Sequence, residues 1–229
     1  MENSYQWIED LEKYLNSDED ILEPEEVIEA PKGLKGNITT DEIRDGEQAL
    51  LYLVVDKSGS MYNNGLEKAV VAGLNDVKRT VNGSKESKCI QTAMTFFGSD
   101  LDMRPFKYGE CIDVSYEANG SKTRMYDALV ESCNNMISQY DILEPKVKVK
   151  GFMLLFTDGG ENGSEKYSVN DAKQAVKELK ERNIRFLVAA FDGFDSTELA
   201  KALDIEPISI KDDHQLRKLM QFVSKTSMA

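Results

Sequence analysis

Hydrophobic residues follow two alternating patterns along most of the chain. Uninterrupted apolar runs are typical of strands that are buried on both faces, and apolar residues at every third or fourth position are typical of amphipathic helices. The predicted strands are 49–55, 89–97, 147–156, 184–191 and 207–210, and the predicted helices are 66–81, 125–140, 170–182, 196–203 and 213–224. This alternation predicts an α/β fold, a doubly wound and mostly parallel sheet with helices on both faces.

Two shorter apolar pieces, 101–106 and 111–114, interrupt the alternation around Pro105. Proline cannot donate a ladder hydrogen bond, so within sheets it is confined to edges and bulges. We therefore expect these pieces to form a hairpin-like antiparallel edge beside the parallel strands.

The first 46 residues precede this alternating region, which runs from 47 to 229, and they form an acidic N-terminal extension. Its start, 5–15, has apolar residues at helical spacing, among them Trp7 and Leu11, and predicts one short amphipathic helix. That helix has two interpretations, packing on the chain's own domain or binding a partner, and we favour the first. The segment 16–37 is interpreted as a linker.

The negative charge is concentrated in the extension. Of the 41 acidic and 28 basic residues, the first 47 positions hold 15 acidic and 4 basic, and the remainder holds 26 and 24. Binding to nucleic acid or to an anionic membrane requires a basic surface, so we expect neither.

The location that the sequence predicts is the cytoplasm. No apolar stretch approaches the length of a membrane-spanning helix, and the N-terminus lacks the basic start and apolar body of a signal peptide. The three cysteines, Cys89, Cys111 and Cys133, each fall within an apolar pattern, and we interpret them as buried thiols.

Candidate chemistry begins where the first predicted strand ends. Asp56, Ser58 and Ser60 supply three oxygen-bearing side chains at alternate positions, at the strand end where open α/β sheets bind their ligands. Oxygen donors without Cys or His suit Mg²⁺, Mn²⁺ or Ca²⁺. Because neutral hydroxyls leave the charge of a cation partly uncompensated, such a site would attract an anion from outside.

This Asp-x-Ser-x-Ser segment resembles the first motif of the von Willebrand factor type A (VWA) domain, whose metal-ion-dependent adhesion site (MIDAS) takes ligands from three loops. Thr123, just before a predicted helix, resembles the second motif, and Asp158, after an apolar run, resembles the third. The resemblance covers the chain from about residue 47 to the C-terminus, and it also implies an antiparallel edge strand.

The resemblance implies a role for each of these five residues. Ser58 and Ser60 would bind the metal directly, and Thr123 would bind it directly or through water. Asp56 and Asp158 would hold coordinated waters and orient the hydroxyls. Mg²⁺ is the first choice because it tolerates a shell of water and hydroxyls, and Mn²⁺ and Ca²⁺ are alternatives.

The function that this resemblance implies is metal-dependent protein–protein binding, in which the cation accepts an Asp or Glu side chain of a partner. Intracellular members of the family act as adaptors with AAA+ ATPases or in bacterial stress-response operons, including tellurium-resistance types. A variant is that the acidic extension occupies the site, in cis or from a neighbouring molecule, which would allow self-association.

The alternative function is a metal-dependent hydrolase such as a phosphatase. Such enzymes need a nucleophile or a base beside the metal, and position 58 holds a serine rather than a second aspartate. His214, the only histidine, is predicted to be a surface or capping residue. We therefore expect no enzymatic activity.

Several neighbours of the motifs have open roles. Lys57, Lys122 and Arg124 would either help an acidic ligand to approach or weaken metal binding by repulsion, and we favour the first. Asp127 is interpreted as structural, at the positive end of its helix. Glu161 and Asn162 would either add polar contacts at the rim of the site or belong to a solvated loop, and we favour the second.

Overall fold

A computed structural model describes residues 6–17, 46–108, 115–158, 160–191, 197–205 and 207–226. The strands are β1 (Glu47–Asp56), β2 (Ile90–Phe97), β3 (Leu101–Tyr108), β4 (Lys148–Thr157), β5 (Arg185–Phe191) and β6 (Ile208–Ile210). The helices are α1 (Gln6–Leu15), α2 (Gly59–Asn63), α3 (Glu67–Gly83), α4 (Met125–Leu143), α5 (Val169–Glu181), α6 (Thr197–Leu203) and α7 (Asp213–Thr226), and a 3₁₀ turn spans Ser87–Cys89.

The six strands form one sheet in the order β3-β2-β1-β4-β5-β6. All neighbours pair in parallel except β3, which runs antiparallel to β2 at one edge. The predicted fold class is therefore confirmed. The edge differs in detail, since 101–108 is a single strand that includes Pro105 and pairs with β2, and the predicted piece 111–114 lies outside the described residues.

The core consists of two apolar layers, one on each face of the sheet. Alternate residues of β1 serve the two layers, as period-two side-chain geometry requires. Leu51 and Leu53 pack in the layer with α1, α3 and α7, whereas Leu50 and Tyr52 pack in the layer with α4, α5 and α6. Because both faces are covered, the central strands are apolar almost throughout, which is the pattern seen in the sequence.

Helix α1 packs on the chain's own domain, as the favoured interpretation expected. Its residues Leu11, Tyr14 and Leu15 are buried in the same layer as α7. The ring of Trp7 meets the ring of Phe152 in β4 edge to face, with centroids 5.9 Å apart. The helix therefore completes the cover of one sheet face and belongs to the core.

The contact between α1 and α7 includes a fully buried lysine. Lys218 of α7 has 0% exposure, and its Nζ donates to the carbonyl oxygen of Ser17 at 2.8 Å and lies 3.5 Å from that of Tyr14. The ammonium group also lies 5.2 Å from the centroid of the Tyr14 ring. These carbonyls lie in the last turn of α1 and just beyond its C-terminal end, where the helix dipole favours a positive charge.

The structure also bears on three smaller predictions, which concern the cysteines, His214 and membrane-spanning helices. Cys133 is buried, Cys89 is only half-buried because it lies in the 3₁₀ turn, and Cys111 lies outside the described residues. His214 is exposed. In the part of the chain that the structure describes, no helix is both long enough and apolar enough to cross a membrane.

Candidate metal site at the carboxyl edge of the sheet

Asp56, the last residue of β1, is the most buried member of the candidate site, with 0% exposure. Its Oδ1 accepts the backbone N–H of Ser58 at 2.7 Å, and its Oδ2 accepts the hydroxyl of Thr157 at 2.7 Å. The hydroxyl of Tyr116 donates to its carbonyl oxygen at 2.6 Å. The carboxylate thus orients the loop that follows it and joins the ends of β1 and β4.

The two serines of the first motif lie side by side. The hydroxyl oxygens of Ser58 and Ser60 are 2.9 Å apart and share a hydrogen bond. Ser58 is buried and Ser60 is half-buried at the start of α2, whose Met61 is fixed in the core. The short helix therefore holds the second hydroxyl beside the first.

Two glycines bring the first and second loops into contact. The N–H of Gly59 donates to the carbonyl of Gly120 at 2.5 Å, and an isolated parallel bridge joins Ser58 to Gly120. A Cβ on Gly59 would lie 2.9 Å from that carbonyl, and a Cβ on Gly120 would lie 3.0 Å from the backbone nitrogen of Ser99. Only glycine permits this approach of backbones.

Thr123 joins the second loop to the third. The residue is buried, and its N–H donates to the side-chain oxygen of Asn162 at 2.8 Å. Its carbonyl oxygen accepts the N–H groups of Asn162 and Gly163, both at 3.2 Å. The position of this threonine is therefore set by the loop that also carries Asp158.

Asp158 follows β4 and is 5% exposed. Its Oδ2 accepts a hydrogen bond from the Nδ2 of Asn64 at 3.3 Å, so the residue just after α2 contacts the third motif. Burial raises the pKa of Asp56 to about 6 against the opposing hydrogen bonds of Ser58 and Thr157, and the charge of Asp158 also raises it. Two buried carboxylates therefore lie close enough to repel each other.

The favoured interpretation of Glu161 and Asn162 as residues of a solvated loop covers only part of their role, since Asn162 is exposed and Glu161 half-buried but both side chains form specific hydrogen bonds. Besides the contact of Asn162 with Thr123, the carboxylate of Glu161 accepts the backbone N–H of Tyr126 at 3.1 Å and that of Ser164 at 2.8 Å. Both side chains connect the third loop to the start of α4. These contacts span more than thirty residues of sequence, so local pattern gave no signal for them.

The three basic residues near the motifs each pair with a carboxylate. Lys57 contacts Asp100 at 2.9 Å, Lys122 contacts Glu165 at 3.0 Å, and Arg124 contacts Asp127 at 2.7 Å. The structure thus differs from the expectation that they attract an acidic ligand, because their charges are matched by neighbours. Asp127 also accepts backbone N–H groups of residues 165–167, which agrees with its structural interpretation.

The chemistry of the donors fits a hard divalent cation. Among the described residues, no Lys, Arg or His forms an ion pair with Asp56 or Asp158, although both carboxylates are buried. Buried charges require a partner of opposite sign, and a bound cation is one such partner. In the same part of the chain no group of three or more His, Cys, Asp or Glu residues forms a metal cluster, so this site would depend on hydroxyls.

Comparison with known proteins rests on structure. No family model matches the sequence, and a search of curated proteins finds no match. The pilus adhesin SpaC from Lactobacillus rhamnosus GG superposes with a TM-score of 0.65 at 12% identity, over 81% of this chain and 31% of that one. This chain therefore corresponds to about a third of that adhesin.

Two other solved structures carry more specific descriptions. Proximal thread matrix protein 1 from the mussel byssus, solved with a zinc-occupied MIDAS motif, has a TM-score of 0.58 at 20% identity over 77% of this chain and 47% of its own. A von Willebrand factor type A protein from Catenulispora acidiphila has a TM-score of 0.56 at 16% identity over 80% and 43%. Together with the strand order and the antiparallel edge strand, these similarities show that the chain has the VWA fold.

Proposed function

We propose that this protein is a divalent-metal-dependent protein-binding domain. The hydroxyls of Ser58, Ser60 and Thr123 hold the cation, and Asp56 and Asp158 orient them and compensate its charge. When bound, the cation supplies an open coordination position that accepts an Asp or Glu side chain of a partner. The observation that carries this proposal is the pair of buried carboxylates that receives no cation from the described chain.

The spacing of the two serine hydroxyls, which their shared hydrogen bond sets, is compatible with Mg²⁺ as the first-choice ion. In an octahedral shell with metal–oxygen distances of about 2.1 Å, neighbouring ligands lie about 2.9 Å apart, whereas Ca²⁺ distances would require roughly 3.3 Å or more. The hydroxyl oxygens of Ser58 and Ser60 are 2.9 Å apart. Mn²⁺, which also favours octahedral oxygen sites, is the expected substitute.

Similarity to other proteins gives independent support for a metal. The mussel byssus protein that shares this fold was solved with zinc in its MIDAS motif. The residues that would correspond to such a motif here are the five named above. The described loops hold them together through contacts between the first and second loops and between the second and third.

The wider role that we propose is that of a cytoplasmic adaptor or scaffold. The family resemblance suggests an AAA+ ATPase or a protein of a stress-response operon as the partner. Charge supports a protein rather than a nucleic acid or a membrane, because the acidic residues outnumber the basic ones by 13.

Self-association is a further element of the proposal, with acidic residues of the 1–46 extension supplying the carboxylate to the site of another copy. Deleting the whole extension would test this poorly because α1 is part of the core. A better variant replaces the seven acidic residues between 18 and 29 with their amides and keeps α1. We expect it to bind external carboxylate peptides more tightly and to lose any EDTA-sensitive dimer seen by light scattering. Unchanged peptide binding and an unchanged dimer would contradict self-association through the extension, but not the proposed metal-dependent binding.

The alternative, a hydrolase that uses the same site, has less support. The Ser58 hydroxyl contacts Ser60 and the carboxylate of Asp56, which the proposal assigns to the cation, and the only histidine is exposed on α7, so no histidine base lies beside this serine. A serine without a base is a poor nucleophile. We therefore propose a binding function without a catalytic step.

Affinity capture from the native host tests the proposed function. The tagged protein is compared with its Ser58→Ala variant, in Mg²⁺ and in EDTA. We expect one set of partners to disappear both on chelation and on substitution, because each removes the coordination position. Ser138→Ala, which removes an exposed hydroxyl on α4, should retain those partners.

Two results would contradict the proposal. Partners that persist in EDTA and with Ser58→Ala would show that binding does not use this site. A chelator-sensitive phosphatase activity without such partners would favour the hydrolase.

A further inference from the structure

The three loops of the candidate metal site share a chemically labile dipeptide, asparagine followed by glycine. The chain contains four such dipeptides, which begin at Asn64, Asn82, Asn119 and Asn162. Asn64 follows α2 in the first loop, Asn119 lies in the second loop and Asn162 in the third, whereas Asn82 is near the end of α3. Asparagine is a thermolabile residue, and a following glycine leaves its own backbone nitrogen accessible because it has no Cβ.

Such a dipeptide can deamidate without an enzyme. The backbone nitrogen of the glycine attacks the side-chain carbonyl carbon of the asparagine, and the new carbon–nitrogen bond closes a five-membered succinimide ring. The nitrogen gives its proton to solvent, and the side-chain amide takes up a proton and leaves as ammonia. Water then opens the ring to aspartate or isoaspartate. The net reaction exchanges ammonia for water and converts a neutral amide into a carboxylate, with no oxidant or reductant.

Three of the four glycine nitrogens are held away from this reaction by the fold. Gly163 is buried, and its N–H donates to the carboxylate of Glu161 at 2.9 Å. Gly120 lies in the close contact between the first and second loops, and its N–H donates to the carbonyl oxygen of Lys57 at 3.2 Å. Gly83 is the last residue of α3, a helix of 17 residues. Ring closure at these positions requires packed structure to open first.

The dipeptide of Asn64 and Gly65 is held least. Both residues are exposed, and a Cβ on Gly65 would meet no atom within 4 Å. The N–H of Gly65 donates to the carbonyl oxygen of Tyr62 at 2.9 Å, at the end of α2, which has only 5 residues. A helix this short gains little from cooperative hydrogen bonding, so its end opens at a low cost in free energy.

The side chain of Asn64 is also weakly held, and it faces the metal site. Its Nδ2 lies 3.3 Å from the Oδ2 of Asp158, just beyond the usual range of about 2.7–3.2 Å for such a hydrogen bond. A carboxylate at position 64 cannot donate this hydrogen bond when it is ionised, and it adds a third negative charge beside Asp56 and Asp158. Two carboxylates balance a divalent cation, so a third increases the attraction for the cation and gives the loaded site a net negative charge.

We propose that Asn64 is a site of spontaneous deamidation, and that its conversion tightens cation binding and weakens the attraction of the loaded site for a carboxylate. The effect on the cation rests on the proposed function, whereas the reaction at Asn64 does not. Because the ammonia is lost to solvent, the converted fraction grows with the age of the protein. The modification would therefore end metal-dependent binding in older molecules.

Peptide mapping by mass spectrometry of folded protein, aged in EDTA at mildly alkaline pH, tests the reaction. We expect deamidation at Asn64 to be at least about tenfold faster than at Asn119 or Asn162, because less structure has to open. In urea the rates should become similar, since the local sequence is then the main determinant. Asn64→Gln, whose longer side chain closes such a ring far more slowly, should leave position 64 uncharged. A folded-state rate at Asn64 no faster than at the other sites would overturn the proposal.

Mn²⁺ titration followed by electron paramagnetic resonance tests the consequence. Asn64→Asp should lower the Kd for Mn²⁺ about fivefold, because an added exposed charge acts on a divalent ion. Asn82→Asp makes the same charge change at the end of α3, and it should leave the Kd unchanged. Helix α3 runs from the carboxyl end of β1 towards the start of β2, so its end lies at the opposite edge of the sheet.

A glutamate-containing peptide added to the Mn²⁺-loaded proteins should bind Asn64→Asp more weakly than the wild type. An unchanged or raised Kd for Mn²⁺ in Asn64→Asp, or equal binding of the peptide, would overturn the proposed effect of the modification. A wild-type protein that binds no Mn²⁺ would contradict the proposed function and this effect together, whereas the order of the deamidation rates is decided separately by mass spectrometry.

Discussion

Two of the places where the protein buries charge differ in what compensates that charge. Lys218 is fully buried between α1 and α7, and its ammonium group contacts the carbonyl oxygens of Tyr14 and Ser17 at and just beyond the end of α1. Asp56 and Asp158 are equally hidden at the carboxyl edge of the sheet, but their described contacts are hydrogen bonds from hydroxyl, amide and backbone groups rather than from a cation.

This difference separates a structural contact from a binding site. The contact at Lys218 is complete within the chain, so it should contribute to stability under all conditions. The carboxylate pair should contribute to stability only when an external cation is present. The predictions below test this contrast, from the largest expected effect to the smallest.

Removing apolar contacts from α1 should have the largest effect. Leu11→Ala truncates a side chain with 0% exposure and should lower the free energy of unfolding by about 2–5 kcal/mol. Urea denaturation measures the change, and Glu12→Ala, at an exposed position of the same helix, should change it by less than about 0.5 kcal/mol. Equal stability of the two variants would show that α1 is not part of the core.

Adding Mg²⁺ should stabilise the wild-type protein by binding at the carboxylate pair, Asp56 and Asp158. At a concentration one hundred times the Kd, binding to the folded state alone adds about 2.7 kcal/mol to the free energy of unfolding. Thermal denaturation with and without Mg²⁺ measures this gain, which Ser58→Ala should lose and Ser138→Ala should keep. A gain of the same size in Ser58→Ala would place the ion elsewhere.

Replacing the buried lysine should have an intermediate effect that does not depend on metal. Lys218→Met keeps the apolar stem but leaves carbonyls of α1 without their donor, which should cost about 1–3 kcal/mol. Urea denaturation in Mg²⁺ and in EDTA should give the same loss. Lys173→Met on the exposed face of α5 is the control and should be nearly neutral. A loss that varies with metal would contradict the separation of the two regions.

Neutralising one carboxylate of the pair should have the smallest effect on stability. Without metal, Asp158→Asn should change the free energy of unfolding by less than about 1 kcal/mol, because the relief of repulsion offsets a weakened hydrogen bond from Asn64. Mg²⁺ binding, measured by calorimetry, should nevertheless be lost, whereas Glu144→Gln at an exposed site should retain it. A large loss of stability in EDTA would make Asp158 a structural residue.

The sequence predicted the sheet and its helices well because both depend on local apolar periodicity. The ends of some helices differ from the predicted ones because tertiary contacts or capping residues determine where a helix begins and ends. Helix α5 was expected to start at Asn170, but its N-cap is Ser168, whose side chain forms a capping box with Asp171. The spacing of that serine and aspartate was present in the sequence and could have identified the cap.

The candidate site was predictable only in part. Family motifs identified its five residues by type and order, and the structure joins their three loops by hydrogen bonds; metal binding itself stays a prediction. Asn64 and Thr157, which donate to Asp158 and Asp56, were not recognised. Those contacts connect positions about a hundred residues apart in sequence, and the local pattern of apolar residues does not predict such distant pairs.

The central claim is that oxygens from three loops hold one divalent ion, and anomalous diffraction from a crystal grown with Mn²⁺ tests it most directly. We predict one strong anomalous peak within about 2.0–2.3 Å of the hydroxyl oxygens of Ser58 and Ser60, with Thr123 beside it or joined to it through a water molecule. The peak should be missing from crystals of Ser58→Ala grown in the same way. A well-ordered wild-type site without a peak, or a peak bound by other residues, would contradict the claim.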